Sequence, residues 1–137
     1  MLGLGLMAVL GCVQPGRAAG AHSITVQRVL TMPSTPWTYQ NLQGFELDAG
    51  IQFYITRHDL KMSGDMPVLY IEFNQVDADR LVEYVTPHLD ETFCWKFNGA
   101  TIEVCPIAEI GSFPYAIFTL ADEFVDIESA RTSLFDQ

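Results

Sequence analysis

The dipeptide Asn98-Gly99 stands between two strand-like runs, one around Thr92 to Phe97 and one from Ala100 to Val104. Asn-Gly suits a two-residue turn in which both central residues take positive φ, and between strand-forming runs it is the strongest short signal for a β-hairpin. This segment, "FCWKFNGATIEVC", also holds two of the chain's three cysteines, Cys94 and Cys105. What those thiols do depends on the compartment, and the beginning of the chain bears on that.

The chain opens "MLGLGLMAVLGCV", apolar and uncharged, and continues "QPGRAAGAHS". Pro15 and Gly16 break a helix, and Ala19-Gly20-Ala21 places small residues where a signal peptidase needs them, so residues 1–21 are expected to be a secretory signal peptide. The leading basic segment is missing, and glycines at 3, 5 and 11 argue against a stable buried helix there. A second reading takes Val9-Leu10-Gly11-Cys12 as a lipobox, with Cys12 carrying a lipid anchor. Cleavage after Ala21 removes only Arg17 among the charged residues and takes the formal charge from −10 to −11. A surface so acidic repels phosphate backbones and anionic headgroups, so no nucleic-acid role is expected and a protein or peptide partner should be basic. No later segment approaches the length of an apolar membrane span.

Residues 22–137 are expected to form one α+β domain. "SITVQRVL" alternates as a half-buried strand. "TMPSTPWTYQNLQG", with two prolines, Trp37 and Tyr39, reads as an ordered loop packed by its aromatics. Residues 45 to 55 give one or two strands interrupted at Asp48 to Gly50, and "TRHDLKM" reads as a short helical turn capped by Thr56. Gly64-Asp65 is a turn, and "MPVLYIEF" is the strongest strand. "VDADRLVEYVTPHL" is the best helix, with Asp77 as its cap and Pro87 as its stop. After the hairpin come a strand at Tyr115 to Leu120 and a helix capped by Asp126, with Ile127, Ala130 and Leu134 facing inward. The sum is a β-α-β-β-β-α core, a largely antiparallel sheet with two main helices packed on one face.

Several stretches resemble, in order, the head subdomain of the periplasmic domain of the SecD and SecDF protein-export subunits. They are "ITRHDL", "PVLYIEF", "DADRLVEYV", "FNGATIEVCPIAEI" and "FVDIESARTSL", and together they cover about residues 51–137. The resemblance implies a head-like fold, a periplasmic setting and a role in holding extended polypeptide, with no catalytic residue. The membrane-spanning helices of that family have no counterpart after the amino-terminal segment.

In an oxidising compartment the pair Cys94 and Cys105 is expected to form a disulfide. A strict Asn98-Gly99 turn pairs Phe97 with Ala100, Cys94 with Glu103 and Cys105 with Thr92. The cysteines then sit diagonally, with Cβ atoms roughly 7 Å apart where a disulfide needs about 3.5 to 4.5 Å. A turn at Gly99-Ala100, or a one-residue bulge in the second arm, is expected to make them direct neighbours. The resemblance favours the bulge, because this chain has one more residue than usual between the turn glycine and Pro106. The spacing fits no structural zinc site, and no metal or other cofactor is expected.

No G-x-S-x-G elbow is present. His58 beside Asp59, and His88 near Asp90 and Glu91, read as solvated turn residues in preference to acid-base pairs. The acidic run Asp122, Glu123, Asp126 and Glu128 lacks the ligand alternation of a calcium loop and suits a helix amino terminus. Trp37, Tyr39, Trp95, Phe97, Phe113 and Tyr115 are the candidate contact residues. The expected function is a periplasmic or secreted, non-catalytic protein-binding module, in its specific form an inhibitor or immunity protein for a basic partner. A small secreted hydrolase and a chaperone-like accessory domain of envelope assembly are the alternatives.

Overall fold

The structure, a computed structural model, describes residues 21–109, 114–120 and 126–135. Most of the candidate signal peptide, with Cys12, and also Phe113, Asp122 and Glu123 lie outside them. Among the described residues the chain forms β1 (Ser23–Thr31), β2 (Glu46–Leu47), β3 (Ile51–Ser63), β4 (Met66–Phe73), α1 (Gln75–Val85), β5 (Thr92–Phe97), β6 (Ala100–Pro106), β7 (Tyr115–Thr119) and α2 (Ile127–Phe135). From β4 onward this is the expected β-α-β-β-β-α order.

All the strand pairs are antiparallel, in the order β6-β5-β1-β3-β4-β7, with β2 beside β1. The sheet curls into a nearly closed barrel. The end strand β7 approaches β5 at the other side of the sheet, where the rings of Trp95 on β5 and Phe118 on β7 lie 5.2 Å apart. Ile24, Val26, Phe53, Leu69, Ile71, Phe93 and Phe97 fill the interior, joined by Ala78, Leu81 and Val85 of α1 and by Ala130 and Leu134 of α2.

The interruption expected at Asp48 to Gly50 is present. β2 and β3 both pair with β1, and the register shifts across residues 48–50, where Asp48 Oδ1 accepts from the Arg28 amide at 2.8 Å. Gly50 has φ +67°, and a Cβ there would lie 2.2 Å from the Val26 carbonyl oxygen, so the close approach excludes any side chain.

Two local expectations are corrected. "TRHDLKM" is not a helical turn but the second half of β3, which pairs residue by residue with β4 from Arg57↔Glu72 to Ser63↔Met66. Cross-strand pairing with the strongest strand, closed by the Gly64-Asp65 turn, outweighs a weak local helix signal. The cap of α1 is Asn74 and not Asp77: Asn74 has extended backbone and its side chain accepts from the Asp77 amide at 2.8 Å. Asp126 does cap α2, accepting from the Ser129 amide at 2.8 Å.

Candidate functional site

The end strands β6 and β7 border a cleft of about 350 Å³. Its floor is apolar, with Trp95 and Phe118, both buried, in ring contact. Glu103, Cys105 and Ile107 line the β6 side, Tyr115 and Ile117 the β7 side, and Glu109 is also part of the lining. Two large apolar side chains stand open to solvent here, Tyr115 at 44% and Ile117 at 67% exposure. Tyr115 stacks on Tyr70, centroids 6.1 Å apart. The Tyr70 hydroxyl donates to Glu72 Oε2 at 2.8 Å, and Arg57 pairs with that carboxylate at 3.2 Å.

A one-residue bulge in β6 shapes this cleft. Lys96 pairs with Thr101 and Phe97 with Ala100, but Trp95 pairs with Glu103, leaving Ile102 as the extra residue. Paired residues share a face, so the bulge turns Glu103 and Cys105 onto the side of Trp95 and Phe93. The same shift corrects the disulfide expectation. Cys94 lies opposite Val104 and Cys105 opposite Phe93, which puts the two sulfurs on opposite faces, and both are free thiols. One inserted residue moves the register by one position, whereas pairing Cys94 with Cys105 needs two.

The five candidate aromatics among the described residues do not form one patch. Trp95 and Phe97 are core, at 4% and 0% exposure, and Phe97 takes no part in a surface. Trp37 and Tyr39 stack in the 32–45 loop, centroids 5.9 Å apart, with Phe45 edge-on to Trp37 at 5.0 Å. That loop reaches the hairpin: the Tyr39 hydroxyl accepts from the Val104 amide at 3.4 Å and lies 3.5 Å from Glu103 Oε2. Of the expected set, Trp95 forms the buried floor of the cleft and Tyr115 reaches its open rim, while Ile117, Phe118 and Glu103 are not among the residues the sequence singles out. The uncharged run "YAIFT" is the sequence signal for Ile117 and Phe118, and Glu103 has none.

A second, more polar concavity of about 710 Å³ lies between the 39–42 segment, the hairpin turn and α2, and includes Lys96, Asn98, Thr101, Ser129 and Ser133.

The histidines anchor structure. His88 Nδ1 lies 3.1 Å from Glu91 Oε2 and 3.2 Å from the Arg28 guanidinium, which also holds Glu91 Oε1 at 2.9 Å. Hydrogen bonds from Arg28 and His88 hold the Glu91 carboxyl below its usual range. Beside them the Tyr84 hydroxyl donates to Asp48 at 2.7 Å and accepts from the Arg28 amide at 2.7 Å. Burial and the bond to Asp48 push that phenol far up, so it stays protonated. His58 packs against His22 and Phe135, ring centroids 5.0 and 4.8 Å away. Asp59 turns aside to Lys61 at 3.8 Å. No group of three or more histidine, cysteine, aspartate or glutamate side chains that could hold a metal ion occurs among the described residues. No helix among them is long and apolar enough to cross a membrane.

The chain matches no protein-family model, no curated protein and no solved structure.

Proposed function

We propose that the protein is an acidic protein-binding module of the cell envelope that holds a basic partner against the cleft between β6 and β7. The observation that carries this reading is the pairing of an apolar floor, Trp95 and Phe118, with exposed Tyr115 and Ile117 and the carboxylates of Glu103 and Glu109. Buried aromatic anchors with an open apolar rim supply desolvation energy, and surrounding charge steers a partner of opposite sign. The chain carries a formal charge of −10, and Arg28, Arg57, Lys61, Arg80 and Arg131 each already pair with a carboxylate. The field that remains is acidic.

An inhibitor or immunity protein for a basic enzyme or toxin is the specific form of this reading. The resemblance to the SecD head subdomain and the signal-like leader support a periplasmic or secreted setting, with Cys12 as the alternative lipid tether. The test is capture of envelope proteins on the immobilised chain at low and high salt, with Glu103→Lys/Glu109→Lys as the control. A discrete basic partner, released by salt and lost in the charge-reversed variant, is expected. Capture that is indifferent to both changes would sink the reading, and a broad set of unfolded clients would replace it with a chaperone-like role.

A further inference from the structure

We infer that the outer edge of β7 is a strand-addition site, on which an extended basic segment of the partner pairs antiparallel to Tyr115–Thr119. The inference rests on the binding reading above and specifies its geometry.

The ladder parity of β4 and β7 decides which backbone groups are open. The Leu120 amide donates to the Pro67 carbonyl at 2.9 Å and the Phe73 amide to the Pro114 carbonyl at 3.0 Å. The intervening register pairs Leu69 with Phe118 and Ile71 with Ala116. In an antiparallel ladder the hydrogen-bonded pairs alternate, so residues 114, 116, 118 and 120 turn their amides and carbonyls toward β4. Those of Tyr115, Ile117 and Thr119 point the other way. Among the described residues no strand pairs with β7 on that side.

The two end strands differ in how this edge is treated. β6 carries a bulge at Ile102, a charge at Glu103 and Pro106 at its end, and the Tyr39 hydroxyl occupies its Val104 amide. These devices blunt an edge against pairing. β7, "YAIFT", has no charge, proline, glycine or bulge, and Ile117 is its most exposed large apolar side chain.

Charge selects the occupant. In an added strand, alternate side chains lie on the face of Ala116 and Phe118, above the apolar floor, where a lysine or arginine meets Glu103, and basic residues in the flanks meet Glu109. A second copy of this chain brings another −10 to the same edge and is repelled.

The test uses the full chain, isotope-labelled, and a blocked peptide alternating lysine and valine. Two further peptides carry N-methyl groups on one or the other set of alternate amides, and a fourth replaces lysine with glutamate. Expected are amide shifts and slowed hydrogen exchange at Tyr115, Ile117 and Thr119. One N-methylated peptide should lose affinity by at least about tenfold, and the glutamate peptide should not bind. Ile117→Pro should weaken the parent peptide similarly, since the amide it removes makes no bond to β4. The N-methyl series gives the same information without altering the protein. Equal binding of both N-methylated peptides would overturn strand addition and leave the cleft reading standing. Absence of binding by every peptide would also overturn it, while the cleft reading is judged by the charge-reversed variant and its folded partner.

Discussion

The side-chain amide of Asn98 donates to the Leu134 carbonyl at 2.7 Å, which ties the tip of the β5–β6 hairpin to the last turn of α2. The last carbonyls of a helix lack intrahelical donors, and the hairpin turn supplies one here. The same amide nitrogen lies 2.9 Å from His22 Nδ1, and Asn98 Oδ1 accepts from the Ser23 amide at 3.0 Å. One turn residue therefore joins the start of β1, the hairpin and α2. Asn98 also has φ +51°, a conformation asparagine tolerates and most residues do not. Asn98→Gly keeps that backbone accessible and deletes the side-chain bonds, which should cost about 1–3 kcal/mol. Asn98→Ala adds the left-handed penalty, roughly 1–2 kcal/mol more. Urea unfolding of both variants checks the order, and equal midpoints for the two would contradict it.

His58 gives the fold a dependence on pH. Burial lowers its pKa from the ordinary 6.5, the nearby His22 lowers it further, and Asp59 opposes them. The unfolded chain then binds more protons at this site than the folded one in the window below 6.5. Stability should therefore fall as the pH drops through 6.5, and level off below the depressed native pKa. Thermal unfolding between neutral and mildly acidic pH should show the decline, and His58→Gln should flatten it. A decline of unchanged slope in His58→Gln would assign the effect elsewhere.

Much of the fold was legible in the sequence, because its turn residues carry specific backbone demands. Asn98-Gly99, Gly64-Asp65 and the break at Asp48 to Gly50 fall where the sequence places them, since positive φ at Asn98, Gly99, Gly64 and Gly50 selects glycine and asparagine. The second half of β3 was not legible: Arg57, His58, Asp59 and Lys61 have no strand preference of their own, and only pairing with β4 holds them extended. The candidate site was legible in part. Tyr115 was singled out as an aromatic, but the cleft exists because the sheet curls until β7 meets β5. That closure depends on contacts far apart in the chain, and no local pattern records it. Phe97 is interior and Trp95 is the buried floor of the cleft rather than an exposed contact, because alternation marks two faces of a strand without saying which is interior.

Gly50 should be among the least replaceable residues. Its φ of +67° disfavours any side chain, and the Val26 carbonyl leaves no room for a Cβ. Gly50→Ala must push the Val26 backbone of β1 away and loosen the bond between Asp48 and the Arg28 amide. A loss of at least about 2 kcal/mol is expected. Gly64→Ala, with φ +64° and nothing within 4 Å, bears only the backbone penalty, about 1–2 kcal/mol. Denaturant midpoints should rank Gly50→Ala well below Gly64→Ala, and the reverse order would show that the close approach at Val26 is wrong.

The two hairpin thiols should behave as separate, weakly reactive groups. Burial pushes the Cys105 thiol up to about 11, with the Glu103 carboxylate adding to the shift. Burial also raises Cys94, against opposing effects of Lys96 and Thr101. The thiolate is the reactive form, and at pH 8 roughly one Cys105 in a thousand carries it. Alkylation of the folded protein should therefore be slow at both positions, with Cys94 labelled only on unfolding. Glu103→Gln removes the nearby charge and should speed Cys105 labelling without affecting Cys94, which lies on the other face of the sheet. Mild oxidation should leave the two unlinked, since a bridge needs Cβ atoms about 3.5 to 4.5 Å apart on a common face. Peptide mapping without reductant checks both points, and a cross-linked peptide joining Cys94 to Cys105 would show that the bulge at Ile102 does not set the register described.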